Sequence, residues 1–127
     1  VARNDLPEAD GIGESDWDFE APHHGLALSP DETVLCLAGR ASDYAAVVAT
    51  DGLELTATVP VGDAPSWAEL DGKGELCVLA NTRSDDVSLV SLESFEEVAR
   101  LDVGRAPKHV TVGFVPEAVL AAMTDGD

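Results

Sequence analysis

Val61-Gly62-Asp63-Ala64-Pro65 returns 42 residues later as Val103-Gly104-Arg105-Ala106-Pro107. The match extends beyond the phrase. Displaced by the same 42 residues, Leu37-Ala38 falls on Leu79-Ala80, Ser42-Asp43 on Ser84-Asp85, Val48 on Val90, Glu54 on Glu96 and Ala57 on Ala99. Pro22 precedes Pro65 by 43 residues, so the register reaches back toward the N-terminus with one residue of slack. A period of about 40–45 residues belongs to a four-stranded propeller blade or to a long helical repeat.

The residues inside the period decide between the two. Leu26-Ala27-Leu28, Val34 to Leu37, Ala45 to Val48 and Leu55 to Val59 are short apolar or alternating runs. Ser29-Pro30-Asp31-Glu32, Gly39 to Asp43, Thr50-Asp51-Gly52 and Gly62 to Pro65 separate them. Short runs with a turn about every 8–12 residues describe an antiparallel meander. A helical repeat needs uninterrupted amphipathic windows, and this Gly, Pro and Asp punctuation denies them. The second unit repeats the plan with Trp67 to Leu70, Leu76 to Ala80, Val87 to Leu92 and Val98 to Val103, and a third opens at His109-Val110-Thr111-Val112. Runs such as Val34 to Ala38, apolar at nearly every position, predict strands with neighbours on both faces. The expected fold is all-β, a β-propeller fragment of four-stranded antiparallel blades. Residues 1–22 read as an acidic loop or the end of a preceding blade, 23–62 and 63–104 as blades, and 105–127 as the start of a third blade and the chain end.

The pattern Pro22-His23-His24-Gly25-Leu26-Ala27-Leu28-Ser29-Pro30-Asp31-Glu32, the following Val34 to Ala38, the Ser42-Asp43 turn and the closing Val59-Pro60-Val61-Gly62 resemble the YVTN-type β-propeller repeat. Leu76 to Asn81 and Val87 to Val90 of the second unit are closer still. The resemblance covers roughly residues 22–116. Two features depart from it: Glu32 stands where the repeat has Gly after Pro-Asp, and the first strand of the second unit is one residue short. The resemblance implies an extracellular, cell-surface or periplasmic protein. It leaves three functions open: a ligand- or partner-binding module, a domain of a propeller enzyme resembling lactone hydrolases or metal- or haem-dependent oxidoreductases, and a structural cell-surface repeat.

A closed propeller needs at least four blades, and 127 residues hold two units and the opening of a third. The chain therefore reads as part of a longer protein or as one subunit of an assembled ring, with the remaining blades as its first partners. Its net charge is −18, from 25 acidic and 7 basic residues. Nucleic-acid binding requires a basic footprint, so that partner class is excluded. No apolar run reaches the length of a membrane span. The acidity fits either a halophilic source or an ordinary acidic extracellular protein. Cys36 and Cys77 fall one residue out of the 42-residue register, so they lie on opposite faces of corresponding strands. Buried free thiols are expected from that.

The candidate site is the start of the first strand in each unit. His24, Trp67 and His109 each lie two residues after a unit proline, Pro22, Pro65 and Pro107. In a propeller that strand is innermost, so its start lies at one mouth of the central channel. Imidazole ligates metals and moves protons, and indole offers a stacking face. Arg105 and Lys108 flank the third position and add positive charge. The bland reading is packing around a water-filled channel; the functional one is a mouth binding a small molecule or a protein. No cofactor is evident, and a metal site would need ligands from further blades. No phosphate loop, nucleophile elbow, HExxH or paired-Cys motif occurs, and no catalytic residue is assigned. In the acidic N-terminal stretch, Asp16-x-Asp18-x-Glu20 is similar to alternating calcium carboxylates but lacks the EF-hand spacing. A solvated loop, linking blades or lying over the mouth and anchored by Trp17 and Phe19, is expected instead. Ala118 to Met123 reads as either the next strand or a short helix.

Overall fold

The computed structural model describes residues 3–17 and 21–124. Eight strands form two sheets. The first contains β1 (Leu26–Leu28), β2 (Val34–Gly39), β3 (Tyr44–Ala49) and β4 (Glu54–Pro60). The second contains β5 (Pro65–Leu70), β6 (Leu76–Asn81), β7 (Asp86–Ser91) and β8 (Glu96–Asp102). Each is an antiparallel meander in sequential order. One helix, α1 (Glu117–Thr124), follows. The predicted sheets are therefore present, and residues 109–112 run without a paired strand.

The 42-residue period is a property of the backbone as well as the sequence. Positive φ occurs at Glu32 and Gly74, Asp43 and Asp85, Leu53 and Phe95, and Ala64 and Ala106. Each pair is one period apart, and each member closes the same turn in its sheet. Hydrogen bonds repeat with them. The Asp43 carboxylate accepts from Ala64 N–H at 2.8 Å, and Asp85 accepts from Ala106 N–H at 2.8 Å. In the first hairpin, Ser29 Oγ accepts from Thr33 and Val34 N–H. Asp71 Oδ1 takes over that role for Glu75 and Leu76 N–H. Burial pushes the Asp71 carboxyl up, but its backbone donors outweigh this and hold it below the usual carboxylate range.

The two sheets pack face to face. The core between them holds Ala27, Cys36, Ala38, Ala45 and Val59 from the first sheet and Ala68, Leu70, Cys77, Leu79 and Val90 from the second. Small side chains dominate, so the sheets approach closely.

That approach overturns one expectation. Cys36 and Cys77 are not free thiols: they form a disulfide, with Cα atoms 6.4 Å apart. The two residues do lie on opposite faces of corresponding strands, and that placement joins them. Corresponding strands of stacked sheets face the same way round the stack. The surface of one sheet that meets its neighbour is therefore opposed by the reverse surface of that neighbour. A residue pair shifted by an odd number, here 41 instead of 42, is what brings two side chains together across the interface.

The outer faces are less covered. On the first sheet Leu26 and Leu28 are 62% and 46% exposed. Val59 and Val61 are 3% and 8% exposed, whereas Leu101 and Val103, one period later, are 53% and 45% exposed. The second sheet covers the former pair; nothing comparable covers the latter.

Two stability predictions follow from this frame. Replacing both cysteines by Ala should lower unfolding free energy by about 2–4 kcal/mol, because the bond closes a long loop between sheets; an unchanged urea midpoint would refute that role. Glu32 has φ +61° in the exposed first turn, where Gly74 serves in the second. Glu32→Gly should stabilise by roughly 0.5–1 kcal/mol by removing a left-handed side chain, seen as a higher urea midpoint at constant m.

Candidate channel-mouth site

The three aromatic positions chosen from the repeat lie in one row. The His24 and Trp67 ring centroids are 6.0 Å apart, and those of Trp67 and His109 are 4.4 Å apart. Trp67 is half-buried, and the two histidines are exposed. Trp67 therefore stands between the two imidazoles and remains partly exposed.

The row depends on how the one-residue slack is absorbed. A register shift between Pro65 and Trp67 in β5 pairs Trp67 with Ala80. One period earlier the corresponding position is Gly25, whose carbonyl accepts from Ala38 N–H at 3.0 Å. Gly25 has φ +81°, and a Cβ there would come within 2.7 Å of Trp67 Cα. Glycine is thus needed both for the turn and for the approach of the neighbouring strand. His24 precedes it and reaches across the interface: its Nδ1 donates to the Ser66 carbonyl at 2.7 Å. A carbonyl only accepts, so Nδ1 carries the proton and Nε2 of a neutral ring keeps its lone pair. That nitrogen is the basic group the row can offer to a ligand.

A polar strut that sequence reasoning missed links the loops beside Ser66. Arg40 donates to the buried Ser66 hydroxyl, which also contacts Thr82; Thr82 Oγ1 donates to the Pro107 carbonyl at 2.9 Å. Arg40 and Thr82 are one period apart, and each reaches the segment that opens the next unit. Arg105 and Lys108 are exposed residues of the segment leading to His109. Among the described residues no three His, Cys, Asp or Glu side chains converge as a metal site requires.

The acidic N-terminal stretch lies along the outer face of the first sheet. Asn4 Nδ2 donates to Leu53 O at one end, and Ala9 N–H donates to Ser42 Oγ at the other. Between them Leu6 lies against Leu35, Leu37, Val48 and Leu53. The Tyr44 hydroxyl donates to Pro7 O at 2.6 Å and meets His23 Nε2 at 2.7 Å. Glu8 approaches the same imidazole at 3.6 Å. Burial pushes His23 below its ordinary value, opposed by the Glu8 carboxylate. Burial pushes the Tyr44 phenol up to about 12, with Glu8 adding to it. The Trp17 ring is half-buried; Phe19, Asp18 and Glu20, and with them the calcium reading, lie outside the described residues. A second concavity, about 570 Å³, lies at the opposite end between the hairpin turns, with Asp31, Lys73, Glu75 and Glu93 above Val34, Leu76 and Leu92.

Solved structures share the fold of the two sheets. The chain is similar to hydrazine synthase of Kuenenia stuttgartiensis, with 23% identity and a TM-score of 0.66 over 68% of this chain and 24% of that one. It is also similar to the dihydro-heme d1 dehydrogenase NirN in complex with DHE, with 18% identity and a TM-score of 0.63 over 72% of this chain and 21% of that one. Both are propeller proteins. The two sheets are β-propeller blades. At these identities the likeness is one of fold, and the chain spans under a quarter of the length of each protein. No protein-family model and no curated protein matches the chain.

The His23 latch yields a pH prediction. A histidine held below its ordinary value in the fold binds its proton more readily when unfolded. Its contribution is therefore complete above about pH 6.5 and is lost as pH falls from there toward its folded value. Between pH 7.5 and 5.5 the chain should lose thermal stability and residues 3–12 should become easier to cleave by protease. His23→Gln should flatten that part of the profile; an unaltered slope would show that another group governs it.

Proposed function

We infer that the chain is part of a YVTN-like β-propeller that binds a ligand or partner at the channel mouth. The observation that carries this reading is the row His24–Trp67–His109, with a half-buried indole between two exposed imidazoles. Trp67 supplies an apolar stacking face, and the His24 Nε2 lone pair supplies an acceptor. Arg105 and Lys108 add positive charge in a chain of net charge −18. A planar ligand bearing a negative charge matches those groups best. The chain contributes a wall to such a pocket, and further blades complete it.

A second reading is a domain of a propeller enzyme. The names of the similar structures, a hydrazine synthase and a dihydro-heme d1 dehydrogenase, favour it over a purely structural repeat. The blades here would then border a cofactor or substrate held by other parts of the protein. An extracellular or periplasmic location agrees with the interblade disulfide, which persists in oxidising compartments.

The two readings differ in a titration. Calorimetry of the chain with an aromatic carboxylate (naphthoate) and with haem should give binding that Trp67→Ala weakens at least tenfold while leaving the melting temperature within a few degrees. Carboxylate binding favours the mouth as a general anion site, and haem binding alone favours the enzyme-domain reading. Undiminished binding in Trp67→Ala would remove the row as the site.

A further inference from the structure

The face of the second blade turned away from the first is less covered than its counterpart one period earlier. The face of the first blade that meets the second is built from Ala27, Cys36, Ala38, Ala45, Val47 and Val59. One period later the same positions are Glu69, Val78, Ala80, Val87, Leu89 and Leu101. Five of those six are apolar, and Leu101 is 53% exposed. Ala80 is buried and Glu69, Val78, Val87 and Leu89 are half-buried, and among the described residues no third sheet lies against this face.

The sequence after Asp102 repeats the elements that should cover them. Glu117-Ala118-Val119-Leu120-Ala121-Ala122-Met123-Thr124 lies one period after Glu75-Leu76-Cys77-Val78-Leu79-Ala80-Asn81-Thr82. Glu75, Ala80 and Thr82 recur as Glu117, Ala122 and Thr124, and the other positions are apolar in both except Asn81, which Met123 replaces. These residues correspond to β6, the strand that carries the interblade cysteine. In the structure they form α1, eight residues with none buried; Val119, Leu120 and Met123 are 48%, 54% and 68% exposed. A helix of eight residues without a packed face is marginal in water. The preceding segment has already taken its place: His109 contacts Trp67, and Val112 to Phe114 lie beside Leu70 to Lys73.

We propose that α1 is one of two states of residues 117–124, and that in the other they pair with residues 109–112 as an antiparallel hairpin docked on the open face of the second blade. Transferred by one period, the β5–β6 register pairs Val112 with Val119 and Val110 with Ala121. Val110, Val112, Val119, Ala121 and Met123 then face the blade, as Ala68, Leu70, Cys77, Leu79 and Asn81 face the first. The docked hairpin buries side chains that α1 leaves in water. A further strand pairing with residues 117–124, where β7 pairs with β6, favours the docked state.

The native disulfide supplies the test. Cys36 and Cys77 move, one period on, to Val78 and Val119, again 41 residues apart. In the double variant Val78→Cys/Val119→Cys, oxidation should close a second, intramolecular bond, read as the loss of two hydrogens by mass and as a peptide linking residues 78 and 119. Val78→Cys/Leu120→Cys places the second thiol on the far face of the docked strand and should close at least tenfold more slowly. Free thiols in the first variant, or equal rates in both, would overturn the proposal. So would a bond between two chains, which would give the face to a second copy. Should the cysteine variants fail to fold, Ala121→Val provides a separate reading. It enlarges a side chain facing the blade and should raise the melting temperature by several degrees. An unchanged or lowered value overturns the docked state, because an exposed helix gains nothing from valine.

Discussion

A strand with apolar side chains on both faces has to be covered twice, and that constraint organises this molecule. β2 and β6 are such strands. The inner face of β2, Cys36 and Ala38, is covered by the second blade, and its outer face, Leu35 and Leu37, partly by Leu6 of the N-terminal segment. β6 is covered by the first blade at Cys77 and Leu79, and on its other face Ala80 is buried while Val78 is only half-buried. Burial of the shared core stabilises the pair at roughly 25 cal/mol per Å² of apolar surface removed from water. The disulfide fixes the same contact covalently at its centre.

Around that contact the turns are held by a small number of polar groups used twice. Asp43 and Asp85 accept from the backbone of the segment that leads to the following unit. Between them, Gly62 passes through a cage of Asn81, Ser84 and Asp86, where a Cβ would come within 2.5 Å of each side chain. Asn81 and Asp86 hydrogen-bond to one another at 2.6 Å. Their counterparts in the first blade are Gly39 and Tyr44, and a Cβ on Gly39 would strike the Tyr44 ring at 2.6 Å. One position pair thus has two solutions: two matched polar side chains, or a large ring over an absent one. The ring is the solution where the N-terminal segment docks, because its hydroxyl reaches Pro7 and His23.

The aromatic row follows from the same stacking. Each blade's first strand begins beside the next, so side chains there meet their counterparts one period away. The convergence of His24, Trp67 and His109 was legible from the three prolines that precede them. The bulge that admits Trp67 opposite Gly25 was legible only as a residue of slack. The strut of Arg40, Ser66 and Thr82 was not legible, because none of the three stands out among polar loop residues until the loops are in contact.

The sequence alone determined the period, the number of strands in each unit, their order and the turns that part them, because turn chemistry and alternation are local. It also determined the alternation of faces along each strand, except where bulges interrupt the pairing of β3 with β4, β5 with β6 and β7 with β8. What it left open was which faces meet. The cysteines show the difference: their opposite faces were evident from a one-residue offset, but only the stacking of the sheets turned opposite faces into a shared interface and two thiols into a bond. The N-terminal segment was decided in the same way. Its acidic composition resembles solvated loop, and its place along the first blade depends on Leu6, Glu8 and Ala9 finding partners more than 30 residues distant in the chain. Such contacts are set by three-dimensional proximity, which has no signature in local pattern.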